Sequence, residues 1–286
     1  MSNEMTRPGL AELFRAAGPF FVIAGPCVLE DDALNLEVGT ALAEIGQALA
    51  LPIIYKASFD KANRSKPDAH RGPGLDDGLR RLERVRAETG LPVLTDVHET
   101  WQVEPAAAVC DVLQIPAFLC RQTDLIQAAA ATGRPVNLKK GQWMAPEDMK
   151  GAVAKAREAG GSAVAVTERG TFMGYGDLVV DMRSFRRIQA AIGVPAIFDG
   201  THSVQRPGRA GGASGGDPEF TPALVRAAVA AGASALFLET HPRPETAPSD
   251  GSNMLHLDRF RPLLQEVLAL RAALGSGTLA ATTGHD

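Results

Sequence analysis

Eight short apolar runs alternate with eight segments of helical spacing, and this alternation constrains the fold more than any other feature of the chain. The runs are PFFVIAGPC (19–27), PIIYKASF (52–59), PVLTDVH (92–98), VLQIPAF (112–118), PVNLKKG (135–141), SAVAVTERG (162–170), PAIFDGTHSV (195–204) and ALFLETH (235–241). Segments with apolar residues at helical intervals occupy 31–50, 75–89, 100–109, 121–132, 146–159, 181–192, 221–231 and 256–273. Gly90, Gly133, Gly193 and Gly232 stand where four of these helices should stop. Parallel strands need helical crossovers, and closing eight of them into a ring leaves no exposed edge. The pattern therefore predicts an α/β fold, a TIM (β/α)8 barrel over 19–274. A short N-terminal extension (1–18) precedes it, and a flexible tail (275–286) follows. The rival architecture, an open doubly wound sheet, calls for a Gly-rich cofactor turn after the first strand. Here that strand ends AGPCVLE, which is not GxGxxG, and no GxxxxGK occurs.

Composition narrows the partners. Hydrophobic residues at 45% and charged residues at 22% exclude disordered, collagen-like and coiled-coil chains. A formal net charge of -4 gives no broad basic field, which argues against nucleic acid or an anionic membrane as the main partner. Cys27, Cys110 and Cys120 form no CxxC pair and point to a reducing compartment. The N-terminus lacks the pattern of a secretory signal, and no stretch approaches the roughly 20 apolar residues of a membrane span. A cytoplasmic protein is expected.

A barrel places its chemistry at the C-terminal ends of strands and in the loops beyond them. Those ends carry Cys27; Lys56, Asp60 and Lys61; Asp96 and His98; Gln114; Lys139; Glu168 and Arg169; Asp199 and His202; and Glu239 and His241. Alternation along a strand puts Asp96 with His98, Glu239 with His241, and Lys56 with Ser58 on shared faces. Three loops, 60–74, 205–220 and 242–253, exceed the usual two to six residues of a βα connection. The Gly-rich 205–220 segment reads as a candidate lid.

The strings AGPC, YKASFDKANRS, RGPG, TDVHE, QIPAFLCRQTDL, NLKKGQ, ERGTFMGYGDLVVDMRS, FDGTHSVQ and ETHPRPETAPSDG span about 21–255. Together they resemble the 3-deoxy-D-manno-octulosonate 8-phosphate synthase family (2-dehydro-3-deoxyphosphooctonate aldolase). The resemblance implies condensation of phosphoenolpyruvate with arabinose 5-phosphate for lipopolysaccharide precursors, by a homotetramer of TIM barrels. The related heptulosonate synthases, which use erythrose 4-phosphate, would be expected to carry a KPRT-like string where this chain reads KANRS.

By the same resemblance Lys56, Lys61, Lys139 and Arg169 form the phosphoenolpyruvate site. Taken singly, each lysine reads better as a solvated charge; four cations at neighbouring strand ends read better as an anion site. Asn63, Arg64, Ser65, Asp96, Gln114, Pro116 and Ala117 become the sugar-phosphate contacts, with Lys66 standing where the family has a second serine. Gln114 alone would read as a satisfied barrel polar group. Lys61, Lys139, Asp96 and His202 are the implied catalytic residues.

Cys27, His202, Glu239 and Asp250 form a candidate mononuclear metal site, since strands seven, eight and one are neighbours in a closed ring. Thiolate, imidazole and carboxylate together suit one Zn, Fe or Mn ion per subunit better than Mg or Ca. A free cysteine is ordinarily a small buried hydrophobe. Here the resemblance reverses that reading, because the metal-dependent class carries cysteine at this place and the metal-independent class asparagine. Cys110 and Cys120 read as packing residues, and His70 as structural or exposed. Two rivals remain: a lysine-dependent aldolase forming a Schiff base on the same fold, and a non-catalytic sugar-phosphate binding protein.

Overall fold

The computed structural model describes residues 9–62, 69–173, 176–210 and 213–275. Eight parallel strands form the barrel, β1 (Phe21–Gly25), β2 (Ile53–Lys56), β3 (Val93–Asp96), β4 (Val112–Ile115), β5 (Val136–Lys139), β6 (Val164–Glu168), β7 (Ala196–Asp199) and β8 (Ala235–His241), and a short ninth, Leu255–His256, pairs with the end of β8. Neighbours in sequence pair in order, and β8 returns to β1 in parallel register from Phe21 with Ala235 to Gly25 with Glu239, closing the barrel. Eight helices surround it: α1 (Asp32–Ala48), α2 (Leu75–Thr89), α3 (Thr100–Val109), α4 (Thr123–Ala131), α5 (Met149–Glu158), α6 (Ser184–Ile192), α7 (Thr221–Ala230) and α8 (Leu257–Ala273). Each strand and helix falls inside or beside a segment expected from the sequence. The chain is a TIM barrel.

Seven of the eight strands stop earlier than their apolar runs, and β8 fills its own from end to end. The run 112–118 ends its ladder at Ile115 and turns into a short 3-10 helix at Ala117–Leu119; the run 195–204 leaves the sheet at Asp199 and forms another at His202–Val204. In both places the chain leaves the ladder to build the mouth, with Ala117, Ser203 and Val204 buried and Phe118 exposed. Asp31 caps α1 by accepting the Leu34 N–H at 2.8 Å. Gly90 closes α2 with φ 68°, the left-handed geometry its position predicts.

Two layers of core follow from side-chain alternation. One packs the outer faces of the strands against the helices. The other fills the barrel with Phe21, Ile23, Ile54, Leu94, Val112, Ala163, Ala165, Ile197, Ala235 and Phe237. Leu13 and Phe14, from the segment ahead of β1, join this inner cluster, and the Phe14 ring lies 5.4 Å from that of Phe21. They sit against the N-terminal end of the strands, so the interior is open to chemistry only at the opposite end.

The segment 205–220, expected to be a loop, contains an antiparallel hairpin, Gln205–Ala210 with Ala213–Gly216. A smaller hairpin joins Thr171–Phe172 to Leu178–Val179. Glycine and alanine dominate the first of these, so its sequence shows no period-two signal.

Candidate active site

On seven of the eight strands an inward-facing position near the C-terminal end is polar, above an apolar residue on all but β5, where Asn137 is itself polar; β1 has Gly25 there. Lys56 follows Ile54, Asp96 follows Leu94, Gln114 follows Val112, Lys139 follows Asn137, Thr167 follows Ala165, Asp199 follows Ile197, and Glu239 follows Phe237. All of these are buried. Charges at such depth must be paired or await a ligand.

The pairing is specific. Lys56 Nζ donates to Glu239 Oε1 at 2.8 Å and to the Cys27 carbonyl at 3.1 Å. Lys139 Nζ donates to Asp199 Oδ2 at 2.6 Å and lies 3.7 Å above the Phe237 ring. Asp199 also meets His202 Nδ1 at 2.8 Å and accepts the His202 backbone N–H at 2.9 Å. Burial alone would raise the Asp199 carboxyl, but His202 and Lys139 overcome it and hold the group far below the usual carboxylate range. Asp96 behaves alike: burial opposes its charge, and the fields of Lys56 and Lys61 win. Burial pulls Lys139 below the ordinary amine range, with Asp199 opposing.

A chain of hydrogen bonds crosses β3 to β6 beneath these charges. Ser58 Oγ and Gln114 Nε2 donate to the two oxygens of Asp96 at 2.7 and 2.8 Å. Asn137 Nδ2 donates to Gln114 Oε1 at 2.8 Å, and Thr167 Oγ1 donates to Asn137 Oδ1 at 2.7 Å. Gln114 thus has barrel partners on both of its amide atoms.

Arg169 differs from the lysines. It is 5% exposed; its Nη2 donates to Gln205 Oε1, while its buried Nη1 has no hydrogen-bond partner among the described residues. Gln205 in turn donates from Nε2 to Asp250 Oδ1 at 3.2 Å. A buried guanidinium N–H without an acceptor marks a place for an anion.

Cys27, Glu239 and Asp250 bring one ligand atom each within 4.8 Å of one another. Cys27 Sγ lies 3.0 Å from both Asp250 Oδ2 and Ser249 Oγ. His202 is not in that group, but its Nε2 lies 3.6 Å from Glu239 Oε2 at the edge of it. Burial, reinforced by Asp250 and Glu239, pushes the Cys27 thiol well above its ordinary range. A cation among these donors would reverse that balance, so the donor set fits a thiophilic divalent ion. Gly25 makes the close packing possible: a Cβ there would sit 2.2 Å from the Lys56 carbonyl oxygen.

Some expected residues stand apart. Asn63, Arg64, Ser65 and Lys66 lie outside the described residues. The base of their loop is closed by Arg71, which forms two hydrogen bonds with Asp60. Ala117 is buried at the mouth, next to Pro116. His70 is exposed; Cys110 and Cys120 are buried, with Cys120 Sγ 3.4 Å from Met144 Sδ. His98 packs edge-on to Phe59, and its Nδ1 has no partner.

The string NLKKG splits across the barrel wall. Lys139 faces inward, whereas Lys140 faces the helices, bonding to the carbonyls of Gly141 and Met144 and lying 3.4 Å from Glu168 Oε1. Lys140→Met would leave buried Glu168 uncompensated, and a loss of about 3–5 kcal/mol is expected. Denaturant unfolding measures it, and adding Glu168→Gln should recover part of the loss. A midpoint unmoved by the single change would show the pair to be energetically idle.

Asn137, Thr167 and Gln205 are not among the residues the sequence singles out, and Asp199 and Ser58 are noted there at strand ends without an assigned role. Counting back by two from Lys139 and Arg169 would have found Asn137 and Thr167. Gln205 carries no such signal, because it lies beyond the ladder.

Buried cations, buried carboxylates and one unsatisfied arginine at the C-terminal mouth of a parallel barrel define a (β/α)8 enzyme acting on small anionic substrates. Residues 16–273 match the family model described as the DAHP synthetase I family. The 2-dehydro-3-deoxyphosphooctonate aldolase of Alkalilimnicola ehrlichii is 56% identical over 252 residues, covering 88% of this chain and 91% of its own. Those of Syntrophotalea carbinolica and Rhodopseudomonas palustris are 52% and 54% identical, covering 91% and 93% of this chain and 94% of each relative. The chain belongs to the DAHP synthetase I family and, within it, to the 2-dehydro-3-deoxyphosphooctonate aldolases.

Proposed function

We propose that the protein condenses phosphoenolpyruvate, D-arabinose 5-phosphate and water to 3-deoxy-D-manno-octulosonate 8-phosphate and inorganic phosphate. The observation that carries this reading is the buried Arg169, whose Nη1 has no partner among the described residues and which shares the fields of Asp199 and Glu239 with Lys139. Only a strongly anionic ligand repays such a site.

The C2–C3 π pair of phosphoenolpyruvate bonds to the sugar aldehyde carbon, whose C=O becomes an alkoxide. Water gives its hydroxyl to carbon 2 and its proton to that alkoxide. The C–O bond to phosphate then breaks as the carbon 2 hydroxyl becomes the ketone and its proton leaves with phosphate. Arg169 and Lys139 hold the phosphate and Lys56 and Lys61 the carboxylate end, fixing the enol above the barrel floor by charge-assisted hydrogen bonds. A lysine near the aldehyde oxygen meets the negative charge that develops there with a charge already in place. Asp96, braced by Ser58 and Gln114, receives the sugar hydroxyls together with Asn63, while Arg64 and Ser65 hold the sugar phosphate. His202, its Nδ1 held by Asp199, presents Nε2 toward Glu239 and the ligand group.

Cys27, His202, Glu239 and Asp250 would hold one Zn, Fe or Mn ion. Such an ion, when bound, supplies polarisation of a carbonyl or orientation of a water. We further propose a cytoplasmic homotetramer serving lipopolysaccharide precursor synthesis. Among the described residues no helix is long and apolar enough to cross a membrane. Exposed Phe118 and Trp143, stacked at 6.0 Å beside the mouth, offer an apolar surface to another subunit.

A phosphate-release assay with arabinose 5-phosphate against erythrose 4-phosphate, with metal quantified in the same sample, tests the reading. Turnover is expected with the five-carbon sugar. Preference for erythrose 4-phosphate would move the chain to heptulosonate chemistry, and sugar binding without phosphate release would make it a binding protein.

A further inference from the structure

The geometry points to Glu30 as a positioning residue: its carboxylate, held by the ring of His241, fastens the segment carrying Cys27 to the segment carrying Asp250 and so sets the spacing of the ligand group. This rests on the metal reading above and adds a residue that does not touch the ion's donors.

His241 is fully buried at the end of β8, and its Nε2 lies 3.0 Å from Glu30 Oε1. The backbone N–H of Arg243 donates to His241 Nδ1 at 2.9 Å. An accepting Nδ1 carries no proton, so the ring hydrogen sits on Nε2 and is donated to Glu30. The tautomer is set by the start of the loop that leads to Asp250.

The other end is pinned independently. The Glu30 N–H donates to Asn35 Oδ1 at 3.2 Å, and its carbonyl accepts from Asn35 Nδ2 at 2.9 Å and from the Arg81 guanidinium of α2. Asn35 is itself 1% exposed. With its backbone fixed to two helices, Glu30 offers β8 a carboxylate at a set position. Cys27 stands three residues before Glu30; Glu239 and Asp250 flank His241 in sequence. The bond thus bridges the two chain segments that supply the thiolate and both carboxylates, from outside the donor cluster. Glu30 is one-fifth exposed on its side chain, so truncating it opens no core cavity.

Cobalt(II) titration of the purified chain, followed by thiolate-to-cobalt charge-transfer absorption and by competition with a chromophoric chelator, reads the spacing directly. Glu30→Ala is expected to weaken cobalt affinity about tenfold or more, whereas Glu30→Gln, which keeps an acceptor oxygen, should stay within about threefold of the parent. Glu30→Asp, with its carboxylate withdrawn by one methylene, should weaken binding too, and serves if the alanine variant does not fold. Metal-free unfolding midpoints should barely move between the glutamine and aspartate variants. Unchanged affinity in the alanine or aspartate variant, or equal losses with glutamine, would overturn the assignment while leaving the metal site intact. A parent protein with no thiolate band overturns the metal reading and this bridge with it.

Discussion

Phosphate release from phosphoenolpyruvate should fall to background when the protein is stripped of divalent metal, and should return on adding back a single equivalent of Zn, Fe or Mn. The expectation rests on the donors more than on the family. Cys27, Glu239 and Asp250 place three ligand atoms within 4.8 Å. Carboxylates crowded against a buried thiol raise its pKa and repel one another. Only a cation turns that arrangement from a cost into a binding site, by favouring the thiolate. Cys27→Ala should therefore lower metal content in elemental analysis as well as turnover. Full turnover in protein shown to be metal-free would refute the assignment.

The barrel declared itself because each strand is buried on both faces, so apolar runs and helices alternate along the whole chain. The site is legible where chemistry and parity coincide: Lys56, Asp96, Gln114 and Glu239 occupy the first inward positions above an apolar floor, Lys139 stands above the polar Asn137, and no barrel core keeps charges there for packing alone. Legibility failed where position depends on the path of the chain beyond the ladder. Gln205 joins Arg169 to Asp250 only because a short 3-10 helix at His202–Val204 turns the chain back over the mouth. Asp199 was visible at the end of β7, but its part as the shared partner of Lys139 and His202 depends on tertiary contact. Lys140 shows the converse error that adjacency invites: next to Lys139 in sequence, it lies on the other side of the wall.

Lys139→Ala is expected to lower kcat/KM for phosphoenolpyruvate by roughly 10²–10³-fold, the usual effect of removing one preorganised charge from a buried reaction site. Stability should suffer less than for Lys140→Met, because Asp199 keeps His202, Thr201 and a backbone N–H as partners when Lys139 is gone. Lys139→Arg should not restore the rate: a planar fork cannot place one compact charge between Asp199 and the Phe237 ring. The same lysine decides between two chemistries. A Schiff base needs the free amine lone pair, and burial does pull Lys139 toward it. The 2.6 Å contact with Asp199, a carboxylate held firmly ionised, works the other way and keeps the ammonium in place. Borohydride added during turnover should accordingly leave activity and intact mass unchanged. Substrate captured on Lys139 would replace the proposed condensation with an imine mechanism.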